Sequence, residues 1–362
     1  MSSPSARNGV VLGAVSTFAV VLLAAATIPT EAASASVQSR FPRPRPSTTT
    51  ATPTPTPTPT TATPTPTPTP TTPAPTTPTP TTPAPTTTTP APPSGPNCGV
   101  NPLKADGTQW TCTFDDEFSG TTLDSTKWIP INSAASGNNG GGACFVSTPN
   151  NISEGNGVLT LTARQEAAPF LCPTPSGGFT TSYTTGEVAT YTKFSQTYGR
   201  FDVRASFPAA TVAGLQSALW LWPDNALKYG AWPTSGEIDI AEEYSIYADR
   251  AIPTIHYLYD PYSVNTVTNT NVTTNYYCMI NDVHAFHDYT VEWTPTTMTI
   301  LYDGNTCLID NYKANAPLTG SAPFDSPFFV ALTQSLGVQT NAVTASTPLP
   351  ASTQIDYVRV WK

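Results

Sequence analysis

Glu237, Asp239 and Glu242 stand in the run Gly236-Glu237-Ile238-Asp239-Ile240-Ala241-Glu242. Carboxylates held this close are what hydrolysis of a glycosidic bond by paired acids requires. The interleaved isoleucines argue for a strand rather than a helix. Side chains alternate faces along a strand, so Glu237 and Asp239 share one. Glu242, an odd number of positions from Glu237, points the other way unless one residue is looped out as a β-bulge. A bulge near Ala241 turns Glu242 back and sets all three acids in a row. On spacing alone, a solvated acidic sheet edge is the competing reading.

The elements around this run are strands. Leu159, Leu161 and Ala163 alternate with Thr160 and Thr162, and Phe201, Val203, Ala205 and Phe207 alternate with Arg200, Asp202, Arg204 and Ser206. Each pattern gives one apolar face and one polar face. Asp303-Gly304, following Met298, Ile300 and Tyr302, marks a hairpin. Short strands separated by turn signals, with almost no helical periodicity, indicate an all-β sandwich.

Composition sets the boundaries. Residues 1–97 hold Arg7, Arg40, Arg43 and Arg45 against Glu31, which leaves 11 basic and 23 acidic groups in the remaining 265 residues. That acidity repels phosphate backbones and excludes nucleic acid as a partner, while a neutral polysaccharide is indifferent to it. Arg7, the apolar run from Val10 to Ile28 and Ala33-Ser34-Ala35 form an export signal over residues 1–35. An uncleaved membrane anchor is the other reading of the same run. Residues 36–97 form a linker, in which every residue from Thr48 to Pro93 is Thr, Pro or Ala. It cannot bury apolar surface, and in polyproline geometry it extends roughly 140 Å. It reads as an O-glycosylated spacer tethering the folded domain near a cell wall or membrane, or as the vestige of a lost binding module. Residues 98–362 are the expected catalytic domain, long enough for one core.

All six cysteines lie in that domain. An even count in an exported chain reads as disulfides, with 15 pairings open. Sequence order favours Cys98–Cys112, Cys144–Cys172 and Cys278–Cys307. A metal site is the weaker alternative, because no Cys-x-x-Cys pair occurs.

The acidic run, preceded by Trp232-Pro233-Thr234-Ser235, resembles the catalytic strand of glycoside hydrolase family 16 in its bulged, laminarinase-like form. The likeness extends through Phe114-Asp115-Asp116-Glu117-Phe118, Leu123 to Trp128, Gly157 to Arg164, Tyr198 to Arg204, His287 to Pro295 and the closing Ile355 to Trp361. It implies a concanavalin A-like β-jelly roll of two curved antiparallel sheets with an open cleft on the concave face. It also implies a secreted, endo-acting, retaining hydrolase of β-linked polysaccharide, with β-1,3-glucan the best-supported substrate. No cofactor is needed for that chemistry, and a monomer is expected.

Carried over residue by residue, the resemblance makes Glu237 the nucleophile and Glu242 the acid/base, with Asp239 between them. Trp232 is the expected sugar-stacking platform, with core packing as its alternative. Trp220 and Trp222 point to the same side of their strand, where they line the cleft or pack in the core, and Trp222 and Gln334 are expected at the substrate. Arg204 matches an arginine at the cleft's edge, or else pairs with Asp202 along its strand. His256 is expected on the following strand, bonding the acid/base or the substrate, or serving structure alone. Asp356 and Glu117 resemble positions where relatives hold calcium through oxygen ligands. Two stretches depart from the pattern. Gln216 and Ser217 replace a Trp-Pro pair, and Leu332 to Val338 lacks an expected Asn and double Gly; both weaken the inference to β-1,3-glucan more than the inference to hydrolysis. A transglycosylase using the same acids, and a non-catalytic glycan-binding protein, are the rival functions.

Overall fold

The computed structural model describes residues 95–260 and 272–362. The expected export signal, and the linker up to residue 94, lie outside the described residues. In chain order the strands are β1 (Cys112–Asp116), β2 (Ile129–Pro130), β3 (Cys144–Phe145), β4 (Ile152–Gly155), β5 (Val158–Cys172), β6 (Phe179–Ala189), β7 (Gly199–Ser206) and β8 (Leu215–Pro223). There follow β9 (Glu237–Tyr244), β10 (Ile252–His256), β11 (His287–Trp293), β12 (Met298–Tyr302), β13 (Asn305–Asp310), β14 (Phe328–Leu336) and β15 (Ala351–Trp361).

Hydrogen-bonded neighbours run β10-β9-β8-β14-β6-β5-β15-β7-β11-β12-β13, with β1 on β15, β4 on β5, and β2 and β3 on β6. Two long strands carry the path from one layer to the other. Residues 159–163 of β5 pair with β15, residues 164–172 pair with β6, and the far end of β6 pairs with β14. One layer is therefore β10-β9-β8-β14-β6 and the other β5-β15-β7-β11-β12-β13, a jelly-roll sandwich as expected.

The faces follow the sequence alternation. Leu159, Leu161, Phe201, Val203 and Ala205 are buried and meet Leu219, Leu221, Ile238, Val330 and Leu332 of the facing layer in one core. Burying each large side chain contributes about 1.5–3 kcal/mol, so this interface anchors the strands beneath the site. On β8, buried Leu215, Ser217, Leu219 and Leu221 alternate with half-buried Gln216, Ala218, Trp220 and Trp222. At the hairpin, Tyr302 pairs with Asn305. Asp303 and Gly304 between them have φ of 48° and 74°, the two positive values a type I′ turn needs.

Disulfides join Cys98 to Cys112, Cys144 to Cys172 and Cys278 to Cys307, the pairing that sequence order favours. They close loops of 14, 28 and 29 residues, each constraining the unfolded chain by about 3–4 kcal/mol.

Candidate active site

The catalytic run is β9, and it carries the bulge. Across to β8, Ala218 faces Glu242 and Leu219 faces Ala241, but Trp220 faces Asp239. Ile240 is the extra residue, and both it and Ala241 are fully buried. The register toward β10 shifts at the same place, with Ile252 opposite Glu242 and Thr254 opposite Asp239. One looped-out residue thus brings Glu237, Asp239 and Glu242 to a common cavity of about 510 Å³.

Each acid has a different neighbourhood. Glu237 Oε2 accepts the indole N–H of Trp232. Burial, and then the charge of Asp239, push Glu237 up to about 8. Asp239 lies deepest, 3% exposed, and its Oδ2 is 3.2 Å from His256 Nε2. Burial, followed by Glu242, raises Asp239 well above the carboxylate range. Glu242 Oε1 accepts the Tyr244 hydroxyl at 2.7 Å and a Gln216 amide N–H at 2.8 Å. Burial raises its pKa, while those two donors hold it down. Such a group of acids titrates as a unit, and protons reside within it near neutral pH.

The cavity has floor and walls. Ala218, Trp220, Thr333 and Ser335 contribute from β8 and β14, and residues 137–141 from the loop before β3. Gly141 has φ 65°, and a Cβ there would fall 2.0 Å from the carbonyl oxygen of Leu336, so only glycine lets this loop lie directly against β14. Glu187 of β6 is a further lining carboxylate, pushed up to about 7 by burial. No lysine or arginine among the described residues lines the cavity.

Trp232 is 48% exposed and its ring lies 5.3 Å from that of His256, so both stand beside the acids as expected. Trp220 lines the cavity, and Trp222 meets it edge to face at 5.7 Å. Trp222 belongs to an apolar patch with Phe329, Ala189, Ala331 and Tyr191 on the same face of the sheet.

Other expected residues lie elsewhere. Gln334 is fully buried and turned toward the interior. Its Oε1 accepts from Ser217 and Thr353, and its Nε2 donates to the carbonyls of Gln216 and Ser335. It is a structural glutamine, with no group left for a sugar. Arg204 lies on β7 in the other layer, paired with Asp356 and Asp288 rather than at the cleft's edge. Asp202, its expected strand partner, pairs with Arg200. Glu117 is held by two donors of Arg359. Since Glu117 and Asp356 each already face an arginine, this donor set does not fit calcium. Among the described residues, no three His, Cys, Asp or Glu side chains gather as a metal site.

Tyr244 and Glu187 were not anticipated, and Gln216 was expected near the substrate only as a departure from the family pattern. Alternation from Trp220 and Trp222 puts Gln216 on the cleft face, and Tyr244 lies two residues beyond Glu242, so both carried a local signal. Glu187 did not, because its approach depends on pairing with β14.

Residues 141–358 match the family model of glycosyl hydrolases family 16, and the chain belongs to that family. It is 31% identical over 267 residues to the glucan endo-1,3-beta-glucosidase A1 of Niallia circulans, spanning 69% of this chain and 37% of that protein. Identity to the keratan-sulfate endo-1,4-beta-galactosidase of Sphingobacterium multivorum is 30% over 257 residues, or 70% of this chain and 56% of that one. The chain therefore spans only about a third to a half of these curated relatives. The laminarinase structure from Rhodothermus marinus superposes with a TM-score of 0.54 at 28% identity, covering 70% of this chain and 97% of that one.

Proposed function

We propose that this chain is a secreted, endo-acting hydrolase of β-glucan, cleaving β-1,3 linkages with retention of anomeric configuration. The observation that carries the reading is the bulge at Ile240, which turns one buried and two half-buried carboxylates onto one open cavity beside Trp220 and Trp232. In this scheme Glu237 attacks the anomeric carbon while Glu242 protonates the departing glycosidic oxygen. Water then attacks the anomeric carbon as Glu242 takes its proton, and the glycosyl–Glu237 bond breaks as the new carbon–oxygen bond forms.

The local contacts act on each acid separately. Burial favours a proton on Asp239, and that proton removes the negative charge that raises Glu237. The indole N–H of Trp232 also favours the ionised form of Glu237. Burial favours the protonated form that Glu242 needs as the acid. Trp232 offers an exposed indole face for a pyranose. The names of the Niallia and Rhodothermus relatives favour glucan, and the three disulfides agree with an oxidising, extracellular setting.

Purified protein incubated with laminarin, mixed-linkage glucan, agarose, carrageenan and galactan tests the reading. The expected result is a ladder of internal fragments from laminarin, with early products of retained configuration by proton NMR. Inverted products, or β-glucans left intact while another glycan is cut, would overturn it.

A further inference from the structure

Cross-strand register defines a row on the cleft face that the proposed chemistry does not use. Glu187 of β6 faces Thr333 of β14, Thr333 faces Ala218 of β8, and Ala218 faces Glu242 of β9. All four line the cavity. Three strand spacings separate the ends, roughly 14 Å between backbones. A carboxyl group stands at each end, with only a methyl and a hydroxyl side chain between. The row is a trough with acidic ends and a low floor.

Glu187 is held for this position. Trp220 Nε1, which can only donate, gives its hydrogen to Thr333 Oγ1 at 2.9 Å. Thr333 stands opposite Glu187, and its hydroxyl favours the ionised carboxylate. Glu187, with up to four lone-pair sites when ionised, keeps accepting capacity toward the trough. The residue is only 6% exposed, and no cation among the lining residues offsets it.

We propose that Glu187 is a specificity-determining residue that accepts hydrogen bonds from hydroxyls of the sugar seated over Ala218 and Thr333, and selects for an uncharged unit there. The inference rests on the hydrolase reading and adds the substrate class of one subsite. Once Glu187 is ionised, above about pH 7, a sulfated or uronic-acid unit brings an anion against a carboxylate with no cation among the residues lining the trough, which is strongly unfavourable. A neutral sugar meets no such opposition and supplies the donors that an acceptor-only carboxylate needs.

The test compares binding of laminarihexaose and chemically sulfated laminarihexaose by the full chain carrying Glu237→Ala, so that turnover does not intrude. At low salt and about pH 8.5, where Glu187 is ionised, the neutral oligosaccharide is expected to bind at least about tenfold more tightly, and added salt to narrow the gap. Adding Glu187→Gln should weaken neutral binding about three- to tenfold and strengthen sulfated binding, so that the preference shrinks at least tenfold. A ratio unchanged by Glu187→Gln, or both ligands weakened alike, assigns Glu187 to holding Trp220 and overturns the proposal. If that variant does not fold, the salt series on the Glu237→Ala protein still decides, since equal binding of the two ligands at low salt removes the inference. Turnover of laminarin by the wild type is read separately. Its loss alone would sink the hydrolase reading while the binding ratio still reports on Glu187.

Discussion

The two layers of the sandwich treat their acids differently. In the β7–β15–β11 layer carboxylates meet guanidinium groups: Asp202 and Glu292 with Arg200, Asp356 and Asp288 with Arg204, and Glu117 with Arg359. Burial raises Asp202, but Arg200 pulls it back. Across the core, Glu187, Glu237, Asp239 and Glu242 share a cavity that no lysine or arginine among the described residues lines. There burial is opposed only by hydrogen-bond donors and His256, and all four rise. A guanidinium partner favours the anionic form of a carboxylate. A carboxylate without one can hold, give and retake a proton near neutral pH, which acid–base chemistry needs.

The largest way to break this contrast is to remove the acids themselves. Glu237→Ala is expected to lower kcat on laminarin by about 10⁴-fold or more, because the covalent intermediate cannot form. Glu242→Ala should lose about 10²–10⁴-fold on polysaccharide, the usual worth of a general acid. It should keep much of its glycosylation rate on an aryl glycoside whose leaving group needs no protonation. Added azide should then give a β-azide of retained configuration with Glu242→Ala, and an α-azide with Glu237→Ala. Near-normal turnover of laminarin by either variant would dissolve the assignment.

Glu243 sharpens the contrast from behind the sheet. It follows Glu242 on β9 and points into the core, fully buried, with no hydrogen-bond partner on either oxygen. Burial pushes it up to about 8, and the hydroxyl of Tyr289, which also lacks a partner, is among its electrostatic neighbours. Its folded pKa lies above the unfolded one. Stability is therefore greatest below the ordinary carboxylate range and falls as pH climbs toward 8. Glu243→Met should be more stable than wild type at pH 9 by on the order of 3–5 kcal/mol, with a much smaller gap at pH 4. Chemical denaturation at both pH values measures this. A gap that stays constant with pH would mean that Glu243 is not a buried acid without a counter-charge.

Much of this arrangement was legible in the sequence where the information is local. Period-two alternation gave the core faces of β5 and β7, and the odd spacing of Glu242 required the bulge found at Ile240. Gln334 was misplaced because all nine residues of β14 are buried, so the burial pattern does not mark which face meets the cleft. Arg204 was correctly read as facing away from the core, but the layer holding β7 is set by pairings with β11 and β15, far along the chain. Glu187 needs three registers, from β6 through β14 and β8 to β9, before it shares a trough with Glu242. Alternation reads faces, and long-range register decides what those faces meet.

A smaller effect concerns the donors on Glu242. Tyr244 and Gln216 favour its ionised form, so removing either should raise its pKa and carry the alkaline limb of kcat/KM to higher pH. Tyr244→Phe is expected to move that limb by about half a unit to one unit, a hydrogen bond's worth. Gln216→Leu should act in the same direction. An alkaline limb that stays still or moves down would detach these donors from the acid/base.

The smallest expected effect belongs to Arg204. Its side chain is 36% exposed, as are its partners Asp288 and Asp356 at 44% and 37%. Removing it leaves both carboxylates in reach of water, and no buried charge is stranded. Arg204→Ala should therefore cost well under about 1 kcal/mol, less still at high salt, and leave kcat/KM on laminarin within about twofold of wild type. The lost contact with Phe286, whose ring lies 5.1 Å from the guanidinium, belongs to the same face and does not reach the cavity. If kcat/KM instead falls more than tenfold while the melting temperature holds, Arg204 acts on the substrate from the cleft's edge. The separation of paired acids in one layer from unpaired acids in the other would then fail at its most accessible point.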